Sequence, residues 1–297
     1  MNNINATELS YIAGLMDGDG SFSLCKKIED EKRSPLYYPL IQVSTTYYDV
    51  IDLLYNNFGG TIGTRATYID GRNIKHRESK HWKLEKAPKC IPFLKSMVPY
   101  IIGKRKQVDL LIKYIEQNPF VRGSNKLSQD ILREREKIYL KMQQLNAEHH
   151  EYSLKLPRRS FYHEDPIFWS YVGGLMDTDG SFSLKRTENN YGTYYGPVIS
   201  LSMLNPQPIL HVFKNCPYGN LCLIKAKTSR TGSSFRLSIT SLNDSLCFLM
   251  HVLDFLKIKK GQATLLYEYC DQKNHKKMNE DIAQEYYMQI VETNKHL

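Results

Sequence analysis

Apolar and polar residues alternate with a period of two in several short segments of the chain. Such alternation is typical of β-strands that bury one sheet face and expose the other. It occurs at residues 22–24 and 41–44 in the first half of the chain and at 199–202 and 234–240 in the second half. These segments predict antiparallel sheets with one core face and one polar face.

Helical patterns lie between and after these strands. The predicted helices are 49–58, 88–100, 106–117, 128–145, 207–214, 242–256 and 263–271. Two further helices open the halves, one capped by Asn5 and one by Asp165, and they stop at Gly20 and Gly180, where we expect left-handed caps. The order is helix, two strands, helix, two strands, helices, which predicts an α+β fold with helices on one sheet face.

The chain contains an internal repeat. Residues 10–24 and 170–184 match at 12 of 15 positions with an offset of 160. Weaker matches follow in the same order: Gly59 with Gly219, Arg65 with Lys225, 82–84 with 235–237, and Lys104 with Lys259. We therefore predict two pseudo-symmetric αββαββα units, at 1–145 and 165–297, joined by an exposed linker at 146–164 that is rich in His, Arg and Lys.

The charge of the chain limits its partners. Forty Lys and Arg against 31 Asp and Glu give a net charge of +9, which favours nucleic acid or an anionic membrane surface. No stretch of 18 apolar residues and no signal peptide occur, so we expect a soluble, intracellular protein without a membrane partner. The six cysteines form no C-x-x-C pair and are expected to be reduced and mostly buried.

Two pairs of aspartates stand at the ends of the repeated helices: Asp17 with Asp19, and Asp177 with Asp179. Small residues at 13, 14, 18, 173 and 174 allow the two helices to pack closely side by side, which would gather the four carboxylates. Carboxylates at helix C-termini meet the negative end of the macrodipole and repel each other. Bound divalent cations would remove both penalties.

Two other interpretations of these aspartates compete with a metal site. A single D-x-D-G segment is most often a solvated turn, but near-identical duplication argues against that reading. An EF-hand calcium loop, and with it a calcium-binding structural protein, requires Gly at the sixth loop position, where Phe22 and Phe182 stand here.

The segments 12–20 and 172–180 resemble the two motifs of a LAGLIDADG homing endonuclease of the monomeric, two-repeat type. The resemblance covers nearly the whole chain, from about Thr7 to about Tyr269. It implies that the motif helices form the interface between pseudo-symmetric halves and that the sheets form a saddle lying in the major groove of double-stranded DNA. It also implies metal-dependent double-strand cleavage with 3′ overhangs.

The resemblance assigns roles to particular residues. Asp19 and Asp179 would be the catalytic metal ligands, joined by the carbonyl groups of Gly18 and Thr178, with Mg²⁺ as cofactor and Mn²⁺ or Ca²⁺ able to occupy the same sites. Asp17 and Asp177 would be structural. Lys104 and Lys259 would be catalytic basic residues, adding positive charge where the transition state becomes anionic. Some relatives carry a water-positioning Gln where this chain has Thr45 and Met203, so that part of the catalytic pattern is missing.

The polar faces of the strands are the predicted DNA-binding surface, because Arg, Lys and Gln read base edges in the major groove and others hold phosphates. The candidate residues are Ser23, Lys27, Gln42, Ser44, Arg65, Thr67, His81, Lys83, Ser183, Lys185, Ser200, Ser202, Lys225, Lys227, Ser234 and Arg236. Most differ between the two copies, which predicts a long, imperfectly palindromic target.

One alternative function shares the same scaffold: a non-enzymatic nucleic-acid binder, either an intron RNA maturase or a DNA-binding protein that has lost cleavage. Presence of both Asp19 and Asp179 favours the enzyme. The family resemblance allows an intron-encoded protein, an intein or a free-standing gene, and the host compartment would be an organelle (mitochondrion or chloroplast) or a prokaryotic cytoplasm.

Overall fold

The computed structural model describes residues 4–28, 34–69, 71, 73, 75–118, 127–147, 157–160, 164–225, 233–275 and 278–295. The chain forms two compact units: unit 1 comprises Met1–Asn5 and Asp19–Glu148, and unit 2 comprises Ala6–Gly18 and His149–Leu297. The first motif helix is thus counted with the second unit, and the repeat boundaries at 145 and 165 stay a prediction. None of the described helices is long and apolar enough to cross a membrane.

Unit 1 contains a four-stranded antiparallel sheet in the order β1-β2-β6-β3. Its strands are β1 (Ser21–Lys27), β2 (Leu36–Thr45), β3 (Thr61–Arg65) and β6 (Ser79–Leu84), and the short strands β4 (Tyr68–Ile69) and β5 (Lys75–His76) form a separate ribbon. The predicted alternation is confirmed in β1 and β2, where Phe22, Leu24, Ile41 and Val43 are buried. Burial of each such side chain contributes about 1.5–3 kcal/mol.

The helices of unit 1 are α2 (Tyr48–Phe58), α3 (Ala87–Met97), α4 (Arg105–Gln117) and α5 (Gln129–Ala147). All four were predicted, with ends within three residues of those observed. The Glu136 carboxylate on α5 accepts hydrogen bonds from Lys26 Nζ at 2.7 Å and from the Tyr37 hydroxyl. The hydrogen bond from Lys26, followed by that from Tyr37, lowers the pKa of Glu136. This polar cluster ties α5 to β1 and β2.

Unit 2 contains a second four-stranded antiparallel sheet, in the order β7-β8-β10-β9. Its strands are β7 (Gly180–Asn189), β8 (Gly192–Met203), β9 (Asn220–Ile224) and β10 (Ser234–Ile239). The strand order matches that of unit 1, so the predicted α+β fold with two repeated antiparallel sheets is confirmed.

The helices of unit 2 are α1 (Ala6–Gly18), α6 (Pro166–Asp179), α7 (Pro206–Asn215), α8 (Leu242–Val252), α9 (Lys260–His275) and α10 (Glu280–Lys295), with a 3-10 turn at Leu253–Phe255. Of these helices, α10 was not predicted from the sequence. Its buried stripe is narrow, with Ala283 and Ile290 in the core, and Tyr287 packs against Tyr195 with ring centroids 5.5 Å apart. Such a sparse stripe gives a weak periodic signal.

The two units anchor their helices to their sheets in the same way. In unit 1 the Tyr114 hydroxyl donates to the carbonyl of Tyr37 at 2.9 Å, and in unit 2 the Tyr269 hydroxyl donates to the carbonyl of Tyr195 at 2.5 Å. Both donors lie on the helix that follows the aligned lysines 104 and 259. The repeat therefore extends to buried tertiary contacts outside the motif.

The ends of the second motif helix agree only in part with the sequence analysis. The Asp165 side chain caps α6 by accepting from the backbone N–H of Ile167 at 2.9 Å, as predicted. The predicted left-handed cap at Gly180 is wrong, because this residue is extended, with φ −84° and ψ 162°. A Cβ on Gly180 would lie 2.6 Å from the Cα of Met176, so close packing against the last helical turn requires the glycine. Gly20 is likewise absent from the positive-φ residues of the described chain.

The predicted linker at 146–164 overlaps the end of α5, which reaches Ala147. Within it the structure describes 146–147, 157–160 and 164. Arg159 and Ser160 are half-buried, and the Ser160 N–H donates to the carbonyl of Lys214 at 2.7 Å. The expectation of an exposed linker is therefore wrong for these two residues.

Candidate active site

The motif helices α1 and α6 pack directly against each other within unit 2. A Cβ on Gly14 would lie 2.1 Å from the carbonyl oxygen of Tyr171, and a Cβ on Gly174 would lie 2.1 Å from that of Tyr11. No other residue type fits at either contact without moving a backbone. The prediction that small residues bring these helices together is confirmed for Gly14 and Gly174, whereas a Cβ on Gly173 would meet Phe255.

Four reciprocal hydrogen bonds cross this helix pair. Ser10 Oγ donates to the carbonyl of Ile167 at 2.7 Å, and Ser170 Oγ donates to the carbonyl of Thr7 at 2.6 Å. From the next residue of each helix, the Tyr11 hydroxyl donates to Asp177 at 2.8 Å and the Tyr171 hydroxyl donates to Asp17 at 2.7 Å. The pseudo-two-fold symmetry of the pair therefore extends to its polar contacts.

The contacts of these serines and tyrosines were not predicted from the sequence. The signal was present, since Ser10-Tyr11 and Ser170-Tyr171 are identical in the two copies. Burial, and then the charge of Asp177, raises the pKa of Tyr11 well above its usual value. Burial followed by the charge of Asp17 does the same to the pKa of Tyr171. Both hydroxyls therefore remain protonated donors through neutral pH.

The Asp177 carboxylate, only 3% exposed, organises the turn that leads into α9. Its Oδ2 accepts from the backbone N–H groups of Lys257 at 2.8 Å and Ile258 at 3.0 Å, and its Oδ1 accepts from the N–H of Lys259 at 2.8 Å. These three donors lie just before the start of α9, and hydrogen bonds from backbone N–H groups to a carboxylate are among the strong ones in proteins. The predicted structural role of Asp177 agrees with these contacts, and Asp17 is equally buried.

The side chain of Lys259 also binds the end of the second motif. Its Nζ donates to the carbonyl groups of Met176 at 3.1 Å, Thr178 at 2.8 Å and Gly180 at 2.6 Å. A cation among the last carbonyls of α6 complements the negative end of the helix dipole. In unit 1 the Nζ of the aligned Lys104 donates to the carbonyl of Gly20 at 2.6 Å. The lysines thus hold the ends of both motifs, and their catalytic role stays a prediction.

The second aspartate of each motif is in a different setting from the first. Asp19 and Asp179 are exposed, whereas Asp17 and Asp177 are buried. The predicted metal ligands are thus the exposed aspartates of the two motifs, and the predicted structural aspartates are the buried ones.

Gly18 lies in close contact with the second motif. A Cβ on Gly18 would lie 2.0 Å from Thr178 Oγ1 and 3.1 Å from Asp179 Oδ2, so only glycine fits beside these side chains. The exposed carboxylate oxygens of Asp179 and the carbonyl oxygens at the helix end are of the kind that hard cations such as Mg²⁺ prefer. The carbonyl oxygen of Thr178 also accepts a hydrogen bond from Lys259 Nζ.

The predicted DNA-binding residues of unit 1 lie mostly on one sheet face. Directly paired residues of antiparallel strands share a face, and the pairs are Gln42 with Lys83, Ser44 with His81, and Arg65 with Ser79. Ser23 and Lys27 occupy the outward positions of β1, between the buried ones. Thr67 is the exception, because it follows the end of β3 at Arg65.

Two of these side chains have defined surroundings. The Arg65 guanidinium lies 3.9 Å from the centre of the Tyr68 ring. Partial burial, and then the charge of Lys83, lowers the pKa of His81. His81 is therefore a neutral hydrogen-bonding group at pH 7.

The polar face of unit 2 carries six of the predicted residues: Ser183, Lys185, Ser200, Ser202, Ser234 and Arg236. Arg236 pairs with Ser202 in the register and donates from Nε to its Oγ at 3.0 Å. Arg236 and Lys83 occupy the same place in the two sheets, since their partners Ser202 and Gln42 are 160 residues apart. Lys225 follows the end of β9, and Lys227 lies outside the described residues.

The two positions expected to hold Gln are not on the polar faces. Met203 is buried and pairs with Phe235, while Thr45 Oγ1 accepts from the N–H of Tyr47 at 3.1 Å in the turn after β2. Neither side chain replaces the amide of a water-positioning Gln.

The chain was compared with known proteins. No family model matches the sequence, and no curated protein matches it. Solved structures do match. I-SmaMI bound to its uncleaved DNA target in the presence of calcium ions has a TM-score of 0.70 at 14% identity, covering 98% of this chain and 99% of that one.

Two further matches agree with the first. The LAGLIDADG homing endonuclease I-GzeII in complex with its DNA target has a TM-score of 0.70 at 15% identity, with 97% of each chain covered. I-SmaMI bound to cleaved DNA has a TM-score of 0.63 at 14% identity, covering 97% of this chain and 96% of that one. The resemblance carried by the two motifs is thus confirmed over the whole length: the chain has the fold of a two-repeat LAGLIDADG homing endonuclease.

Proposed function

We propose that this protein is a site-specific DNA endonuclease that acts as a monomer and cleaves both strands of a long, imperfectly palindromic duplex target, leaving 3′ overhangs. The observation that carries the proposal is the arrangement of the motif ends. Two helices pack through Gly14 and Gly174, and each motif ends with an exposed carboxylate, that of Asp19 or of Asp179. The solved structures of this fold that contain DNA targets support a duplex as the substrate.

Asp19 and Asp179 would hold Mg²⁺, together with the carbonyl oxygens of Gly18 and Thr178. When bound, the cations supply an activated water and neutralise the departing 3′ oxygen. The chain provides one such carboxylate per repeat, and so one for each DNA strand. Duplication of the motif supports double-strand rather than single-strand cleavage.

Lys104 and Lys259 would serve mainly to fix the motif ends. Lys259 Nζ binds three carbonyl groups that bracket Asp179, so it restrains the backbone on both sides of that carboxylate. A restrained carboxylate needs less reorganisation when substrate charge develops. The lysines also keep positive charge beside the reacting phosphate.

The polar sheet faces would bind the target. Lys83 and Arg236 occupy equivalent places in the two sheets, and both can donate to guanine O6 and N7 in the major groove. The two faces otherwise carry different residues, since unit 1 has Gln42 and His81 where unit 2 has serines. Such differences support an asymmetric target sequence.

The proposal is tested by cleavage selection from a library of randomised duplexes with Mg²⁺, followed by assays on the selected site with Mg²⁺ or EDTA. We expect Asp19→Asn and Asp179→Asn each to lower double-strand cleavage by at least about a hundredfold while binding remains. Asp254→Asn, which changes an exposed aspartate of the 3-10 turn, is the matched control and should cleave normally.

Two results would contradict the proposal. Cleavage in EDTA, or undiminished cleavage by Asp19→Asn and Asp179→Asn, would remove the metal-binding role of these residues. Binding of a selected duplex without cleavage by the unchanged protein would favour the cleavage-deficient DNA binder instead.

A further inference from the structure

The segment that joins the two repeats docks onto unit 2 through Arg159. The guanidinium donates from Nη1 to the carbonyl of Pro217 at 2.8 Å and from Nη2 to the carbonyl of Gly219. Its centre lies 4.3 Å from the centre of the Phe213 ring. Arg159 is therefore held by one aromatic face and two backbone oxygens.

These contacts hold the turn between α7 and the edge strand β9. Gly219 immediately precedes β9 and has φ +77°, and a Cβ there would lie 2.7 Å from the carbonyl oxygen of Ser238 on β10. The turn thus fits tightly against the neighbouring strand. Its carbonyls follow the C-terminus of α7, where a cation is electrostatically favoured.

In unit 1 a different side chain donates to the carbonyl of the matching glycine, Gly59. There the indole N–H of Trp82 donates to the carbonyl of Gly59 at 2.7 Å, and Gly59 also has a positive φ, of +67°. Trp82 pairs with Val43, and the residue that pairs with Met203 in unit 2 is Phe235. Phenylalanine has no N–H on its ring, so unit 2 needs a donor from elsewhere.

We propose that Arg159 is a positioning residue for DNA binding: the joining segment fixes the start of β9, in the role that the Trp82 indole fills in unit 1. β9 is the edge strand of the sheet that bears Arg236, and Cys222 of β9 pairs with Arg236. A displaced β9 would shift the polar face around Arg236. The link to DNA rests on the proposed function, whereas the effect on β9 does not.

The first measurement needs no DNA. Amide hydrogen exchange of the full chain, read by mass spectrometry, is compared between the unchanged protein, Arg159→Met and Arg158→Met. Arg159→Met should speed exchange in 217–224 by about tenfold or more, because the turn loses its side-chain donors. Arg158→Met removes the same charge from an exposed neighbouring residue and should leave that exchange unchanged.

The second measurement uses the selected duplex. Arg159→Met should raise KM by about tenfold and leave kcat within about twofold, since binding geometry changes and the motif ends do not. Base substitutions in the half-site contacted by unit 2 should then be discriminated less sharply than those in the other half-site. Arg158→Met should match the unchanged protein in base discrimination.

Each outcome bears on one claim. Exchange in 217–224 that is equal in Arg159→Met and the unchanged protein overturns the proposal. Faster exchange with unchanged KM and base discrimination overturns its DNA-binding part, and absence of any duplex binding by the unchanged protein counts against the proposed function instead. If Arg159→Met fails to fold, Arg159→Lys replaces it: faster exchange confined to 217–224 supports the proposal, and exchange equal to the unchanged protein overturns it.

Discussion

The contact between the motif helices predicts a large cost for Gly14→Ala. The added Cβ would lie 2.1 Å from the carbonyl oxygen of Tyr171, and its other near neighbours are also backbone atoms of α6. Contacts under 3.0 Å essentially never occur, so the helices must separate by about 1 Å at this point. No flexible side chain can absorb the change.

The destabilising contributions of Gly14→Ala to the free energy of unfolding exceed the stabilising one. Alanine gains about 1 kcal/mol over glycine within a helix. Overpacking of this kind costs about 1–3 kcal/mol, and separation also stretches four hydrogen bonds of 2.6–2.8 Å that cross the pair. Two of these end on buried carboxylates, where each bond contributes about 1.5–3 kcal/mol. Because separation stretches these bonds without breaking them, only part of their contribution is lost, and we expect a net loss of about 3–5 kcal/mol in the free energy of unfolding.

The assay is urea unfolding followed by the fluorescence of Trp169, which lies on α6, in a Trp82→Phe background that removes the only other tryptophan. Gly196→Ala is the control, because nothing lies within 4 Å of its added Cβ, and it should change stability by less than about 0.5 kcal/mol. In Gly173→Ala the added Cβ would lie 2.9 Å from the Phe255 Cβ, so the stability of this variant should lie between those of Gly14→Ala and Gly196→Ala. If Gly14→Ala is as stable as Gly196→Ala, the close packing of α1 and α6 is wrong.

Two further outcomes follow from the polar groups of the structure. Because folding raises the pKa of Tyr11 and Tyr171, the unfolded chain releases their protons first, so the urea midpoint of unit 2 should fall as pH rises above about 10. Tyr11→Phe should make the urea midpoint fall less steeply with pH and should lower the free energy of unfolding by about 1.5–3 kcal/mol at pH 7. If the midpoint of Tyr11→Phe falls as steeply as that of the unchanged protein, the hydroxyl is not buried as described. Arg236→Met should weaken binding of the selected duplex by about 1–3 kcal/mol and relax the preference at one base pair. Arg186→Met, on the other side of β7, should leave that preference intact, and equal effects of both variants would exclude base reading by Arg236.

The two aspartates of the second motif differ in their surroundings because of their positions at the helix end. The Asp177 carboxylate is buried and accepts hydrogen bonds from Tyr11 and three backbone N–H groups, and these bonds hold the turn that carries Lys259. Asp179 is the last residue of α6 and is exposed. An exposed Asp177 would lose four buried hydrogen bonds, and a buried Asp179 would no longer present carboxylate oxygens to a ligand.

Local patterns in the sequence predicted most of the secondary structure. Period-two alternation identified β2 and β10, and the Asp165 cap marked the start of α6, because each depends on residues that are close in the chain. The repeat offset of 160 identified the duplicated unit, and the small residues at Gly14 and Gly174 indicated the packing of two helices. Among the described elements, α10, whose buried stripe is sparse, and the short strands β4 and β5 were not predicted.

The partners of the polar groups were decided by the tertiary structure. The sequence places Asp177 at a helix end, but its donors at 257–259 lie some 80 residues further along the chain. It likewise marks Lys259 as a candidate catalytic residue that adds positive charge, while in the fold its ammonium donates to the carbonyls of Met176, Thr178 and Gly180. Arg159 was read as part of an exposed linker and instead supplies a donor that Phe235 lacks. Amino-acid periodicity records which face of a helix or strand is buried; which distant donor meets which acceptor depends on how those faces pack.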